Sequence, residues 1–402
     1  MDRLTPRDAA EVAEAVASAN AGDTRLEVLG HGTKRDIGRP AQSDATLDLS
    51  ALTGVTLYEP EELVLSARAG TPLAEIEDLL AGKGQELAFE PMDYGPLLGV
   101  DPGRATIGGV LAANAAGPRR PRAGAARDHF LGLSAVSGRG ELFKAGGRVV
   151  KNVTGYDLPR GLAGSWGTLA VMTDVTLKVL PKAETCETVL VRGLDDGQAV
   201  RAMAQALGSP AEVSGAAHLP APVADRAPLA GVPGPVTALR LEGFAPSVAY
   251  RRDRLAALLA PFGQIEFMEP EPSRALWRCI RDVGPFVGDP RPVWRISLTP
   301  TRGPEFVRRV GAPGSQAFYD WGGGLIWLAV APSDDAGAAE IRRALQASGG
   351  GHATLIRAAP AVRAAVPVFE PQAPPLAALT RRLKEAFDPK GVLNPGRMYA
   401  GV

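Results

Sequence analysis

DPGRATIGGVLAANAAGPRRPRAGAARD (Asp101–Asp128) opens the stretch that decides how this chain folds. The stretch continues through KNVTGYDL (Lys151–Leu158) and GSWGTLAVMTDVTLKV (Gly164–Val179). Glycine, alanine and Asn crowd its first part, with no run of large apolar residues to explain them by packing. Such a backbone can approach another group closely and offer it N–H donors. VLAANAA favours a helix, and a helix starting at Gly108-Gly109 would aim N–H groups at an anion. The same residues also suit a small-residue helix lying tightly on a sheet. From Val171 to Val179 apolar and polar positions alternate as in a half-buried strand, and Pro181 ends it. A domain boundary is expected there.

Outward from this stretch, Thr5-Pro6 predicts a helix start, with Thr as N-cap and Pro at the first helical position. Short strands are expected at 26–29, 47–49, 56–58 and 63–67. A helix follows Gly70-Thr71-Pro72, with Leu73, Ile76, Leu79 and Leu80 on its apolar face. The strand at 26–29 feeds GHGTKRDIG (Gly30–Gly38), a tight loop with consecutive N–H groups, a hydroxyl and a cation. That suits a pyrophosphate, and it also suits an ordinary glycine turn; neither the Walker spacing nor the GxGxxG fingerprint is present. Residues 133–136 and 142–144 read as a hairpin. Between 182 and 363 strand and helix patterns alternate in a similar order twice, predicting two ferredoxin-like α+β units joined by a helix around 273–283. The Pro/Ala-rich segment 211–235 is expected to be loop. A last helix carries Leu376, Leu379, Leu383 and Phe387 and runs into FDPKGVLNPGRM (Phe387–Met398), a fixed loop.

Composition narrows the function classes. The chain has 402 residues, 45% apolar and 22% charged, with zero formal net charge. That gives no electrostatic reason to expect nucleic acid, and aromatics at 5% offer few stacking platforms. Cys186 and Cys279 are the two cysteines, which excludes a disulfide framework and a cysteine-ligated cluster within the chain. The four histidines, His31, His129, His218 and His352, are scattered, so no metal site is expected. The N-terminus carries acids where a signal peptide would need an apolar run, so none is expected, and no apolar run is long enough to span a membrane. The expected location is cytoplasmic, with attachment to the inner membrane face only through partners.

Taken together, PGRATIGG, AANAAG, RAGAARD, GGRVVKNVTGYDL, GSWGTL and FDPKGVLNPGRM resemble the FAD-binding subunit family of bacterial glycolate oxidase. That family has the FAD-binding fold of vanillyl-alcohol oxidase and p-cresol methylhydroxylase (PCMH). The resemblance is close over about 22–181 and the C-terminal loop, and loose between. It implies an α+β, two-subdomain PCMH-type FAD-binding fold with a ferredoxin-like cap. The domains would be 1–181 for FAD, 182–370 for the cap, and 371–402 returning to the FAD site.

By position, Gly30, His31, Gly32, Thr33 and Lys34 would form the pyrophosphate loop. Pro102, Gly103, Thr106, Gly108, Gly109 and Asn114 would line the FAD, and Gly117 would close the loop. Arg127, Asp128, Lys151, Asn152, Gly155 and Tyr156 form the next blocks. Gly167 and Thr168 would lie near the adenosine, and Asn394 near the flavin ring. Relatives that attach FAD covalently usually place a histidine where this chain has Thr33, so non-covalent FAD is expected.

The catalytic His-rich metal motif of related subunits is absent. Catalytic residues are therefore not assigned; Arg295 and Trp321 are the candidates for a substrate pocket, since Arg and aromatics suit a small carboxylate. Both also read as sheet surface and core. The resemblance implies electron transfer from glycolate, a 2-hydroxy acid, to an iron–sulfur subunit, beside a sister FAD-containing catalytic subunit. The rival readings are a self-sufficient FAD-dependent 2-hydroxy acid dehydrogenase and a non-catalytic scaffold.

Overall fold

The computed structural model describes residues 2–149, 155–229 and 234–402. The chain divides into two compact units. The first comprises 1–116, 124–182 and 371–402, and the second 117–123 and 183–370.

The first unit holds two main sheets. Asp2–Leu4, Ala45–Asp48 and Leu26–Leu29 pair side by side as a small parallel sheet. The helix Ala9–Ala21 covers it, burying Val12, Val16 and Ala19 against Leu26, Leu47, Val136, Val171 and Leu393. This helix starts later than the sequence suggests. Asp8 is its N-cap and accepts from Glu11 N at 2.9 Å. Thr5-Pro6 is left to make the turn because Asp2–Leu4 is held in the sheet. The second sheet is antiparallel, in the order Val55–Glu59, Val64–Arg68, Ala170–Lys178, Phe130–Ser137, Leu142–Gly146. Its middle strand buries Val171, Val175 and Leu177 and leaves Asp174, Thr176 and Lys178 half-buried, as alternation dictates. The C-terminal loop returns to this unit: Leu393 bridges Leu26 in parallel, and Asn394 N donates to Leu26 O at 2.9 Å.

The second unit is one eight-stranded sheet made of two ferredoxin-like halves. The first half runs β-α-β-β-α-β from Thr185–Arg192 to Ile265–Met268, and the second repeats that order from Val293–Ser297 to His352–Arg357. Each half has the edge-first-third-second strand order of that fold, and the two second strands meet where His218 pairs with Tyr319. The helix Pro270–Arg281 joins the halves.

One second strand, Gly215–Leu219, lies in the segment expected to be loop. All five of its residues are buried. It lacks the β-branched residues that announce a strand; pairing with Val236–Gly243 imposes the conformation. A Cβ on Gly215 would stand 3.0 Å from the Trp277 ring, so a larger residue there would press on that ring.

At the seam, His218 Nδ1 lies 2.9 Å from Thr237 Oγ1, and Nε2 lies 3.4 Å from Asp196 Oδ1. Tyr319 donates its hydroxyl to Asp196 Oδ2 at 2.6 Å. Burial opposes ionisation of Asp196, but the bonds from His218 and Tyr319 prevail and hold its pKa below the usual range. Burial and the neighbouring Asp196 push the Tyr319 hydroxyl up. Tyr319→Phe should therefore lower unfolding free energy by about 1–3 kcal/mol in urea titration, since it removes a donor to a charged acceptor.

Candidate cofactor site

The strand Leu26–Leu29 ends where the loop Gly30–Arg35 begins, and this loop forms one wall of a cleft of about 730 Å³ within the first unit. Ala69, Thr106, Gly108, Gly109, Ala112, Trp166, Gly167, Ala170–Met172 and Arg397 supply other parts of the lining. Its polar groups come from a glycine loop, hydroxyls and cations.

Two glycines are fixed by close packing. A Cβ at Gly30 would lie 2.7 Å from Thr106 Oγ1, and one at Gly108 would lie 2.8 Å from both Ala69 O and Ala69 Cβ. The Gly30 loop thus packs against the start of the helix Ile107–Ala112, where Thr106 caps Gly109 N at 3.3 Å. Gly108→Ala has backbone in its way. It should cost about 1–3 kcal/mol by thermal or urea unfolding and lower the FAD content of the purified protein.

Lys34 is the unusual group. It is 7% exposed and lines the cleft. Its ammonium makes a 3.5 Å contact with Thr33 Oγ1 and lies 5.9 Å from the Tyr94 ring centroid. Burial pushes its pKa down to about 8, Asp93 pulls it upward, and Arg397 pushes it further down. Arg35, by contrast, is committed to Glu27 through bonds of 2.8 and 2.6 Å. Arg397 donates to Lys34 O at 2.7 Å and lies 5.6 Å from the Trp166 ring centroid. A tight glycine loop, a hydroxyl and a poorly partnered buried cation in one cleft fit the diphosphate of a dinucleotide.

Of the residues anticipated from sequence, Gly30, His31, Gly32, Thr33, Lys34, Thr106, Gly108, Gly109 and Gly167 line this cleft. The other described candidates are not part of its lining. Gly103 N donates to Asp93 at 2.8 Å, and Pro102 beside it is exposed. Asn114 Oδ1 accepts from Arg127 N, and Asp128 accepts from Ala125 N, so that block braces its own loop. Gly117 belongs to the second unit, where its carbonyl accepts from Trp321 Nε1 at 3.0 Å. Gly155 and Tyr156 are exposed, Tyr156 by 90%. Thr168 donates to Ser165 O. Asn394 is buried, with its carboxamide accepting from Val28 N and donating to Trp166 O, both at 2.8 Å. It acts as a staple behind the cleft wall. Lys151 and Asn152 lie outside the described residues.

The sequence reading missed Trp166, Met172 and Arg397. The Trp in GSWGTL and the Arg in NPGRM stood inside the quoted blocks and were the available signals. In the second unit, Trp321 and Arg295 do come together, with the guanidinium carbon 5.0 Å from the indole centroid; Arg120 lies over the same ring at 4.6 Å.

The fold and the cleft define a PCMH-type FAD-linked oxidoreductase. Residues 3–146 match the FAD binding domain family, and residues 368–398 match the C-terminal domain of FAD linked oxidases. The solved structure of p-cresol methylhydroxylase with substrate bound superposes with a TM-score of 0.74 at 13% identity, covering 98% of this chain and 88% of that one. The chain is 36% identical over 388 residues to the glycolate oxidase subunit GlcE of Escherichia coli (strain K12), covering 96% of both. It is 28% identical over 188 residues to the glycolate oxidase subunit GlcD of Bacillus subtilis (strain 168), covering 46% of this chain and 38% of that protein. The chain belongs to the family of FAD-linked oxidase subunits that includes GlcE, and its cofactor is FAD.

Proposed function

We propose that the chain is the FAD-binding subunit of a glycolate (2-hydroxy acid) oxidase complex and carries electrons toward an iron–sulfur partner. Near-complete coverage of a glycolate oxidase subunit in both directions carries this reading. Bound FAD supplies the two-electron acceptance. The chain's own residues do the holding. The Gly30 loop offers N–H groups, Lys34 and Arg397 supply positive charge, and Trp166 and Met172 give apolar wall.

FAD is held non-covalently on this reading, since Thr33 occupies the attachment position and His31 is tied through Nδ1 to Arg104 O at 3.0 Å. Acid precipitation should leave the yellow colour in the supernatant; colour in the pellet would refute it.

The C-terminal helix Pro374–Phe387 supports an assembly. Lys384 is its one buried side chain, while Leu376, Leu379 and Leu383 are 49%, 50% and 44% exposed along one stripe. A lone 14-residue helix is marginal in water without a packed face. The sister FAD-containing subunit is the proposed cover. Co-expressed with tagged subunits of its complex, the Leu379→Asp/Leu383→Asp variant should keep its FAD but lose most co-purification. Among the described residues no helix is long and apolar enough to cross a membrane, so membrane attachment would come through those partners.

The second reading, a self-sufficient dehydrogenase, draws on Arg295 stacked on Trp321 as a carboxylate-binding pair in the cap. Glycolate and an artificial dye decide between them. Turnover by the purified chain alone favours the second reading, and turnover only in the assembled complex favours the first. If Arg295→Ala leaves the KM for glycolate unchanged, the substrate role of that pair falls.

A further inference from the structure

We propose that Lys34 makes FAD binding proton-linked: its buried amine takes up a proton as the cofactor's diphosphate enters the cleft and serves as the counter-charge. The inference rests on FAD being held in this cleft, and it assigns to one side chain a role that the glycine loop alone does not require.

The geometry leaves the ammonium with little to balance it. Among the described residues no carboxylate is within ion-pair distance of Lys34 Nζ. The groups around it are the Thr33 hydroxyl at 3.5 Å, the Tyr94 ring, and Asp93 and Arg397 acting from further off. Asp93 is occupied elsewhere, accepting from Gly95 N at 3.0 Å and Gly103 N at 2.8 Å. His31 and Arg35, the other titratable groups of the loop, are tied to Arg104 O and Glu27. A Cβ built on Gly109 would stand 3.7 Å from Lys34 Nζ and 3.1 Å from Thr106 Oγ1. The amine therefore sits beside the place where the Gly30 loop meets the Thr106 cap.

The diphosphate is the permanently ionised part of oxidised FAD, so it is the anion that must be neutralised there. With the site empty, burial holds the Lys34 pKa at about 8, so near pH 9 the amine is mostly neutral. An anion beside it favours the charged form and raises that value. Binding then takes up a proton above pH 8, and affinity falls as pH rises. Below pH 7 the amine is charged in both states and the dependence vanishes.

The experiment titrates the FAD-stripped protein with FAD by calorimetry, at pH 6.5 and at pH 9, in buffers of different ionisation enthalpy. The wild type should take up close to one proton at pH 9 and almost none at pH 6.5. Its Kd should be about twentyfold weaker at pH 9.5 than at pH 7. Lys34→Met should abolish the Lys34 part of the uptake and show the weak Kd at both pH values. Lys34→Arg, always charged, should bind without pH dependence across that window. The FAD-free Lys34→Met protein should melt no lower than the wild type, because a buried charge is gone; this separates lost binding from lost fold. Equal wild-type Kd values at pH 7 and pH 9.5, or an uptake that persists in Lys34→Met, would overturn the proposal. Failure of the wild type to bind FAD at any pH would instead sink the reading of the cleft itself.

Discussion

Lys384→Met is expected to lower the unfolding free energy by about 3–5 kcal/mol. The side chain is 6% exposed, and its ammonium donates to Asp388 Oδ2 at 2.7 Å, Thr168 O at 2.7 Å and Leu393 O at 2.8 Å. Asp388, fully buried, also accepts from Val392 N and Leu393 N at 3.0 and 2.8 Å. One ammonium thus ties the end of the last helix to the bridge at Leu26 and to the segment after Trp166. Methionine fills much of the volume but leaves a buried carboxylate without its cation and two carbonyls without a donor. The damage should reach the cleft, because Asn394 and Arg397 follow directly on this knot. A weaker FAD Kd should accompany the fall in urea midpoint. Lys384→Met combined with Asp388→Asn should cost less than the two single changes added together, since the pair acts as a unit. Additive losses would mean the two groups do not depend on each other.

The reach of the sequence can be judged residue by residue. Periodicity exposed what packing decides locally. The alternation at 171–179 marked the middle strand, and the stripe after Pro72 marked a helix burying Leu73, Ile76 and Leu80, although Leu79 of that stripe is 38% exposed. The doubled ferredoxin-like order was legible only in part, because the helices and the first and third strands of each half carry signals that the second strands, Gly215–Leu219 and Gln316–Asp320, do not. Gly215–Leu219 was hidden because its strand character comes from partners on a separate strand, Val236–Gly243. In the cleft, the glycine blocks were readable because close backbone approach demands glycine, as at Gly30 and Gly108. The blocks could not say which polar side chains face inward. Asn394 and Asn114 look like ligands in sequence, yet both spend their amide oxygens on backbone N–H groups. Lys384 drew no expectation from the sequence, and only the fold reveals the carbonyls it meets.

Glu242→Gln should cost the second unit about 3–5 kcal/mol at neutral pH, with a signature at acid pH. Glu242 accepts from Arg119 Nε and Nη2 at 2.9 and 2.6 Å and from Ser214 Oγ at 2.5 Å, and Arg240 Nε lies 3.3 Å from it. Arg240 is 2% exposed and stacks on Trp277 at 4.6 Å. Arg119 comes from the middle of the glycine-rich stretch, so this carboxylate fastens 117–123 into the unit it belongs to. Burial opposes its ionisation, but Arg240, Arg119 and Ser214 overcome that and lower its pKa from 4.5 to about 2. A carboxylate with a lowered folded-state pKa stabilises above its unfolded value. That contribution is lost as pH falls through 4.5 toward 2, and here it amounts to roughly 3 kcal/mol. Glutamine cannot titrate, so the stability gap between wild type and Glu242→Gln should be smaller at pH 3 than at pH 7 by about 2 kcal/mol. Urea titrations of both proteins at the two pH values measure it. A gap that stays constant would mean that shape and hydrogen bonding, not the charge on Glu242, hold the segment.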